Sequence, residues 1–425
     1  MKHLFCLCTL VLAFLCLQAG HPQGPIKVEV RDNNGTFQLY RDGKPYFIKG
    51  GGGNEHLDRL IEAGGNSIRT WSMGNAEAIL DEAHAKGLTV MMGIWVGHER
   101  HGFDYNDGKA VKGQLAGFRE AVMRIKDHPA LLLWGIGNEC DLFYSNFKVW
   151  NAINDIAKMI HEVDPNHPTA TITAGIDAAE IALIKERAPH IDILGVNTYG
   201  GIYPVHKQVR AYGWDKPYLI TEWGHNGAWE VAKTKWNAAI EPTSTDKASA
   251  YKDRYQKGIS ADPKKCIGSY AFLWGWKQEL TPTWFGLFSK DGVETQAIEE
   301  LEYAWSGKYP QNRAPQISGA TLNDMSDWTN VRIKARGKYV ATIEAKDPDN
   351  DPLKYVWEFL PEATNTKVGG DAEATPDAVK NLSIRQEPGE LVFRAPNKTG
   401  AYRLFIYVYD SHNHVATVNI PFWVE

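Results

Sequence analysis

The 425-residue chain has little cysteine, and three of its five cysteines (Cys6, Cys8 and Cys16) fall near the N-terminus. Only Cys140 and Cys266 remain beyond them, which excludes a disulfide scaffold. Cys140 reads as a small buried residue rather than a nucleophile, since no histidine lies near it in sequence. Positive charge is not in excess either. With 46 Lys and Arg against 51 Asp and Glu, the net charge is −5, so nucleic acid is not an expected partner. The one long apolar run, Leu4–Leu17, follows Lys2 and His3 and precedes Ala19-Gly20. That order reads as a secretory signal peptide over residues 1–20, too short to span a membrane comfortably. Leu15 before Cys16 is bulkier than a lipid-anchor site accepts. The expectation is a secreted or extracytoplasmic monomer with no transmembrane segment after signal removal and no favoured anchor. Also missing are Gly-x-Gly-x-x-Gly, a Gly-Lys-Ser/Thr closure and His-Glu-x-x-His; in His98-Glu99-Arg100-His101 the two histidines are three apart. No cofactor and no metal is therefore called for.

What is present is a regular alternation of short β-type runs and helical patterns. Val28 to Ile48 reads as a β-hairpin around Asn33-Asn34-Gly35, placed to cap the bottom of a barrel. Eight strands are expected: Tyr46–Lys49, Ser67–Trp71, Leu88–Ile94, Ala130–Ile136, Thr169–Thr173, Ile191–Asn197, Tyr218–Glu222 and Ile267–Trp274. Helical patterns such as Ile153/Ile156/Ile160 separate them, and a last one, Glu294–Trp305, completes the eighth unit. Eight strands with crossovers close as an α/β fold, a (β/α)8 TIM barrel over residues 21–310. A doubly wound sheet is the weaker rival, because the Gly50–Gly53 run after the first strand lacks a nucleotide fingerprint. Close approach of a neighbouring backbone or of substrate explains those glycines better. After the Pro-bounded linker Tyr309–Pro315 the period changes to two, in Tyr339–Ile343, Lys354–Phe359, Leu391–Phe393, Tyr402–Tyr409 and Ala416–Val424. Residues 311–425 are expected to form an immunoglobulin-like β-sandwich. Asp347-Pro348-Asp349-Asn350-Asp351-Pro352…Glu358 mimics a calcium-loop spacing. Pro352 stands where the sharp turn needs Gly, and the flanks are strands, so it reads as a turn.

Two stretches carry the chemistry. Leu131-Leu132-Leu133-Trp134-Gly135-Ile136 is a buried-strand run broken off by Gly137-Asn138-Glu139, and Tyr218-Leu219-Ile220-Thr221-Glu222-Trp223-Gly224 repeats the design. Polar groups at the C-terminal ends of barrel strands lie where such barrels place their catalysis. Strands four and seven face each other across the mouth, so Glu139 and Glu222 can flank one bond as proton donor and nucleophile. These motifs resemble the large clan of retaining β-glycosidases with catalytic Glu on strands four and seven. Together with the hairpin and the C-terminal sandwich they are most similar to glycoside hydrolase family 158, endo-β-1,3-glucanases acting on laminarin-type β-glucan.

The resemblance implies Glu139 as acid/base and Glu222 as nucleophile. It further implies that Asn138 holds the sugar 2-hydroxyl, that Arg69 steadies the nucleophile and that Tyr199 hydrogen-bonds it. Trp274 would floor the −1 subsite, with His98, Asn197 and Trp276 as further substrate contacts. Glu139 must keep its proton in the resting enzyme and lose it once Glu222 is glycosylated. Glu99, Asp104 and Glu279 read as solvated loop carboxylates. Other retaining activities (β-mannanase, β-1,4-glucanase, transglycosylase) and a non-catalytic glycan-binding surface protein stay open at this point, because linkage preference lies in loop shape.

Overall fold

The computed structural model describes residues 24–425; the signal-peptide reading of residues 1–20, with Cys16, lies outside the described residues. The chain opens with three antiparallel strands, β1 (Val28–Asn33), β2 (Thr36–Arg41) and β3 (Lys44–Tyr46). The expected hairpin is thus a meander: Lys44–Tyr46 turns back onto β2, with Tyr46 opposite Leu39.

Eight parallel strands then close a barrel: β4 (Ile48–Gly52), β5 (Ser67–Arg69), β6 (Thr89–Ile94), β7 (Leu131–Ile136), β8 (Thr169–Ala174), β9 (Ile193–Asn197), β10 (Tyr218–Trp223) and β11 (Cys266–Ala271). The crossovers carry α1 (Leu57–Glu62), α2 (Ala76–Ala85), α3 (Gly108–Ile125), α4 (Lys148–Val163), α5 (Ala178–Arg187), α6 (Val205–Ala211) and α7 (Ser244–Arg254), and α8 (Gln296–Ser306) follows β11. In α4, Val149, Ile153, Ile156 and Ile160 recur at helical spacing and are all buried against the barrel. Asp107, Asp177 and Thr243 accept backbone N–H groups at the starts of α3, α5 and α7, which fixes where those helices begin. Val28 and Leu39 of the meander pack with Leu132, Leu133 and Ile193 in the barrel interior. The Val28 and Phe37 N–H groups donate to the carbonyls of Asn166 and Lys264, just before β8 and β11, so the meander closes the bottom of the barrel.

The first barrel strand is Ile48–Gly52, not Tyr46–Lys49. Glycine disfavours strands on propensity, but here the neighbouring strand requires it. A Cβ on Gly50 would stand 2.1 Å from the Tyr270 ring, and one on Gly51 would stand 2.7 Å from the Trp274 Cβ.

The remaining strands form a sandwich: β12 (Gln316–Leu322), β13 (Arg332–Ile333), β14 (Lys338–Lys346), β15 (Lys354–Pro361), β16 (Ser383–Glu387), β17 (Glu390–Arg394), β18 (Gly400–Tyr409) and β19 (Val415–Val424). One sheet runs β12-β14-β17-β16 and the other β13-β19-β18-β15, an immunoglobulin-like order. Phe359, Phe393, Leu404, Ile420 and Phe422 fill the space between them. The sandwich is docked onto the barrel through buried polar contacts. Arg403 pairs with Glu362 at 2.8 Å and donates to the Ala239 carbonyl at 2.7 Å. Asn419 donates to Glu241 at 2.5 Å, and Glu241 is itself buried against Lys247 at 2.5 Å.

Candidate active site

The strand ends aim their side chains at one mouth. β7 stops at Ile136, and the backbone then turns through Gly137 (φ 75°) and Glu139 (φ 51°). A Cβ at position 137 would meet the Cys140 sulfur at 2.9 Å, so this turn needs glycine. Glu139 is a non-glycine residue in the left-handed region, a conformation that persists only where the surroundings enforce it. Here its N–H donates to the Ile172 carbonyl at 3.0 Å and its own carbonyl accepts from Arg100 at 3.1 Å.

Across the mouth, Glu222 on β10 collects three donors. Arg69 from the end of β5 lies 2.9 Å from one oxygen, the Trp71 indole donates to the same oxygen at 2.8 Å, and the Tyr199 hydroxyl donates to the other at 3.1 Å. Arg69 also donates to Asn138 at 2.6 Å. Asn197, at the end of β9, donates both to Asn138 (3.1 Å) and to Glu139 (2.9 Å), while Thr221 donates to Asn197 at 2.8 Å. One polar network therefore joins Glu139 to Glu222 through Asn197, Asn138 and Arg69. Arg69 is buried, so its charge acts in a low-dielectric setting.

The two carboxyls differ in surroundings. Burial, and after it the charge of Glu222, pushes Glu139 up to about 7, against the opposing pull of Asn197, Arg100 and Arg69. A carboxyl in that range holds a proton to donate near neutral pH. Burial, and then the charge of Glu222, keeps the Tyr199 phenol well above its usual range, so it serves Glu222 as a proton donor in a hydrogen bond. Asp141 stands near Glu139, takes the Ala174 N–H at 2.9 Å, and is pushed up to about 8 by burial and by Glu139. Burial also raises the Cys140 thiol to about 12, which suits an inert packing residue.

Not every residue indicated by sequence reaches this network. Trp274 has no exposed surface. It packs on Trp305 and Phe288 between barrel and α8, so a sugar cannot stack on it, and the subsite-floor expectation is corrected. Strand β11 ends at Ala271, and beyond it Phe272, not Trp274, joins Trp71, Tyr199 and Phe285 on the mouth side. Trp276 donates to the Pro282 carbonyl at 2.8 Å and lies under Lys290, and it makes no hydrogen bond to either glutamate. His98 is buried and, pushed down to about 4 chiefly by burial, is neutral. Its Nε2–H donates to the Asn138 carbonyl at 2.6 Å, so it supports the backbone that carries Asn138 and Glu139.

Sequence reasoning passed over Trp71, although it stands two residues past Arg69 and so shares its direction on an extended chain. The reading of Glu279 as a solvated loop carboxylate is corrected. That carboxyl is largely buried rather than solvated, is paired with Lys277 at 2.8 Å, and stands close enough to Glu222 for like charge, after burial, to raise it.

Around the mouth stand exposed aromatic rings: Trp95 (37% exposed) beside His98, Phe143 (70%) after β7, and Trp229 (65%) edge-on to Tyr199 at 5.7 Å. The sandwich contributes as well. Its β15–β16 connection, residues 362–382, reaches the loops that follow β6 and β11. Asp371 meets His101 at 2.9 Å, the Gly370 carbonyl accepts from Lys277, and Glu373 accepts the Leu280 N–H at 2.7 Å.

Residues 64–248 match the family described as glycosyl hydrolases family 2, TIM barrel domain. The chain is 23% identical over 336 residues to a β-glucuronidase of Paenibacillus borealis, covering 69% of this chain and 54% of that one. It is 21% identical over 246 residues to the β-glucuronidase of Canis lupus familiaris, covering 52% and 36%. The chain thus spans about half the length, or less, of these curated relatives. A solved β-glucuronidase from Faecalibacterium prausnitzii superposes with a TM-score of 0.51 at 17% identity over 66% of this chain and 52% of that one, a likeness of fold. The match is to the family 2 barrel and not to family 158, so the finer family resemblance drawn from the sequence is not supported. Among the described residues no helix is long and apolar enough to cross a membrane.

Proposed function

We propose that this chain, a glycoside hydrolase of the retaining kind, cleaves β-linked glucan, with β-1,3 chains as its first substrate and internal bonds as its point of attack. The single observation that carries the catalytic part is the shared network: Glu222 ringed by three donors, and a half-buried Glu139 whose proton is held up to about 7, tied together by Asn197, Asn138 and Arg69. Glu222 attacks the anomeric carbon while Glu139 protonates the departing oxygen, giving a covalent glycosyl-enzyme. Esterified, Glu222 is neutral; Glu139 then ionises more easily and takes a proton from the incoming water. Asn138 and Asn197 stand beside both carboxyls, where sugar hydroxyls would lie. The exposed rings of Trp95, Phe143 and Trp229 favour a chain substrate over a single sugar, because flat apolar faces spread around a mouth can each carry one pyranose ring.

A second reading, hydrolysis of β-glucuronides, is favoured by the named relatives. A panel of β-1,3-glucan, mixed-linkage glucan, cellulose derivatives, mannan and aryl β-glucuronide separates the readings, with product sizes followed over time and Glu222→Ala as control. Oligosaccharides of several lengths from β-1,3-glucan support the first reading; turnover of the glucuronide alone replaces it with the second. Binding of glucan without release of reducing sugar overturns both in favour of a non-catalytic glycan-binding protein.

A further inference from the structure

We propose that the turn between β14 and β15, together with the linker entering the sandwich, forms a calcium site. Asp347, Asp349 and Asp351 each bring a carboxylate oxygen within 4.8 Å of the other two. Oxygens held about 2.3–2.6 Å from a calcium ion stand up to roughly 5 Å apart, whereas magnesium, at about 2.0–2.1 Å, draws them closer.

Two further observations point to a cation rather than to a surface acidic turn. Asp347 is only 8% exposed, and its Oδ2 is buried without a hydrogen-bond partner, while Oδ1 accepts the N–H groups of Asp349 (2.8 Å) and Asp351 (3.0 Å). A bare carboxylate oxygen out of water is costly unless a positive group faces it. Asn312 arrives from a separate segment, the linker. Its amide nitrogen donates to Asp351 at 2.6 Å, and its Oδ1 is buried and unpartnered.

Nothing nearby neutralises the turn. Among the described residues no lysine or arginine forms an ion pair with Asp347, Asp349 or Asp351; Asp351 has only His412, at 3.0 Å. The Arg313 side chain is turned away to Glu299 at 2.5 Å, leaving only its N–H for Asp349 at 2.7 Å. Asp410 borders the group, but its oxygens are taken by the His412 and His414 N–H groups and by the His414 ring. The clustered donors are therefore three carboxylates, a hard all-oxygen set that suits calcium and not zinc, and Asn312 holds one of them from the linker side. Pro352 rules out a helix-flanked calcium loop, but not a site assembled from a strand turn and a linker. An ion here ties the linker at Asn312 to the sandwich, next to where the two domains join.

The test uses the full-length protein, stripped with EDTA and dialysed. Calorimetric titration with CaCl2 is expected to show one site of micromolar affinity. One millimolar calcium is expected to raise the melting temperature by roughly 3 °C or more, and magnesium by much less. Asp347→Asn should weaken calcium binding at least ten-fold and melt no lower than wild type without calcium, because it removes a buried negative charge. If that variant does not fold, Asn312→Ala carries the same comparison, with binding weakened several-fold. No heat and no melting shift at 5 mM calcium would overturn the proposal. So would variants that bind like wild type, and a magnesium shift equal to that of calcium would overturn the choice of ion.

Discussion

Neutralising Glu222 should make Glu139 a stronger acid. Glu139 is pushed up to about 7 by burial first and by the charge of Glu222 second. At the retaining separation of about 5.5 Å and an effective dielectric of about 20, two carboxylates repel by about 3 kcal/mol. At 1.36 kcal/mol per unit that amounts to about 2 pK units, and water reaching the mouth reduces it. Glu222→Gln is therefore expected to lower the Glu139 midpoint by about 1–2 units, with burial holding the rest. The variant imitates the glycosyl-enzyme, in which Glu222 carries no charge, so the drop measures the switch from acid to base directly. Carboxyl-labelled glutamate followed by carbon NMR across pH reads it without turnover, the Glu139 signal being the one missing in Glu139→Gln. A midpoint within 0.3 units of wild type, or a higher one, would refute the reasoning.

On the acid side of the same logic, kcat/KM for unactivated glycosides should fall as pH rises through about 7, where Glu139 loses its proton. Glu139→Gln should spare kcat/KM for an aryl glycoside whose leaving group needs no protonation, while kcat falls because no base activates the water that releases the glycosyl-enzyme, and the alkaline limb should vanish from kcat/KM there. Trp71→Phe keeps the ring but removes the donor 2.8 Å from Glu222, a charge-assisted hydrogen bond of about 1.5–3 kcal/mol. Its kcat/KM should drop about 10–100-fold with the melting temperature little changed; a drop under three-fold would contradict the role given to that contact. Gly51→Ala drives a methyl to 2.7 Å from the packed Trp274, and thermal unfolding should show a loss of about 1–3 kcal/mol.

Much of the fold was legible because its signals are strong. Strands buried on both faces read as unbroken apolar runs, β7 being the plainest, and α4 shows its buried face at regular spacing. What escaped notice follows from specific physics. The Gly50–Gly52 segment carries no strand signature; its need for glycine comes from Tyr270 on β11 and Trp274 just beyond it, more than two hundred residues away. β12 and β16 are edge strands, and β16 is exposed along its whole length, so neither shows an apolar pattern worth the name. Among the site residues, strand ends place Glu139 and Glu222, whereas Arg69, Asn138, Asn197 and Tyr199 come from the family resemblance. Past Ala271 the chain leaves the strand, alternation no longer says which side faces the mouth, and Trp274 was assigned a surface it lacks. The calcium-like spacing shows the three carboxylates of the turn, but not Asn312, which reaches Asp351 from the linker.

The most direct test of the central claim, double displacement by Glu222 and Glu139, is the anomeric configuration of the first product. Proton NMR of a β-linked substrate during the first minutes of hydrolysis, before mutarotation, should show the β-anomer appearing first. If the α-anomer appears first, a single inverting displacement is at work and the account fails.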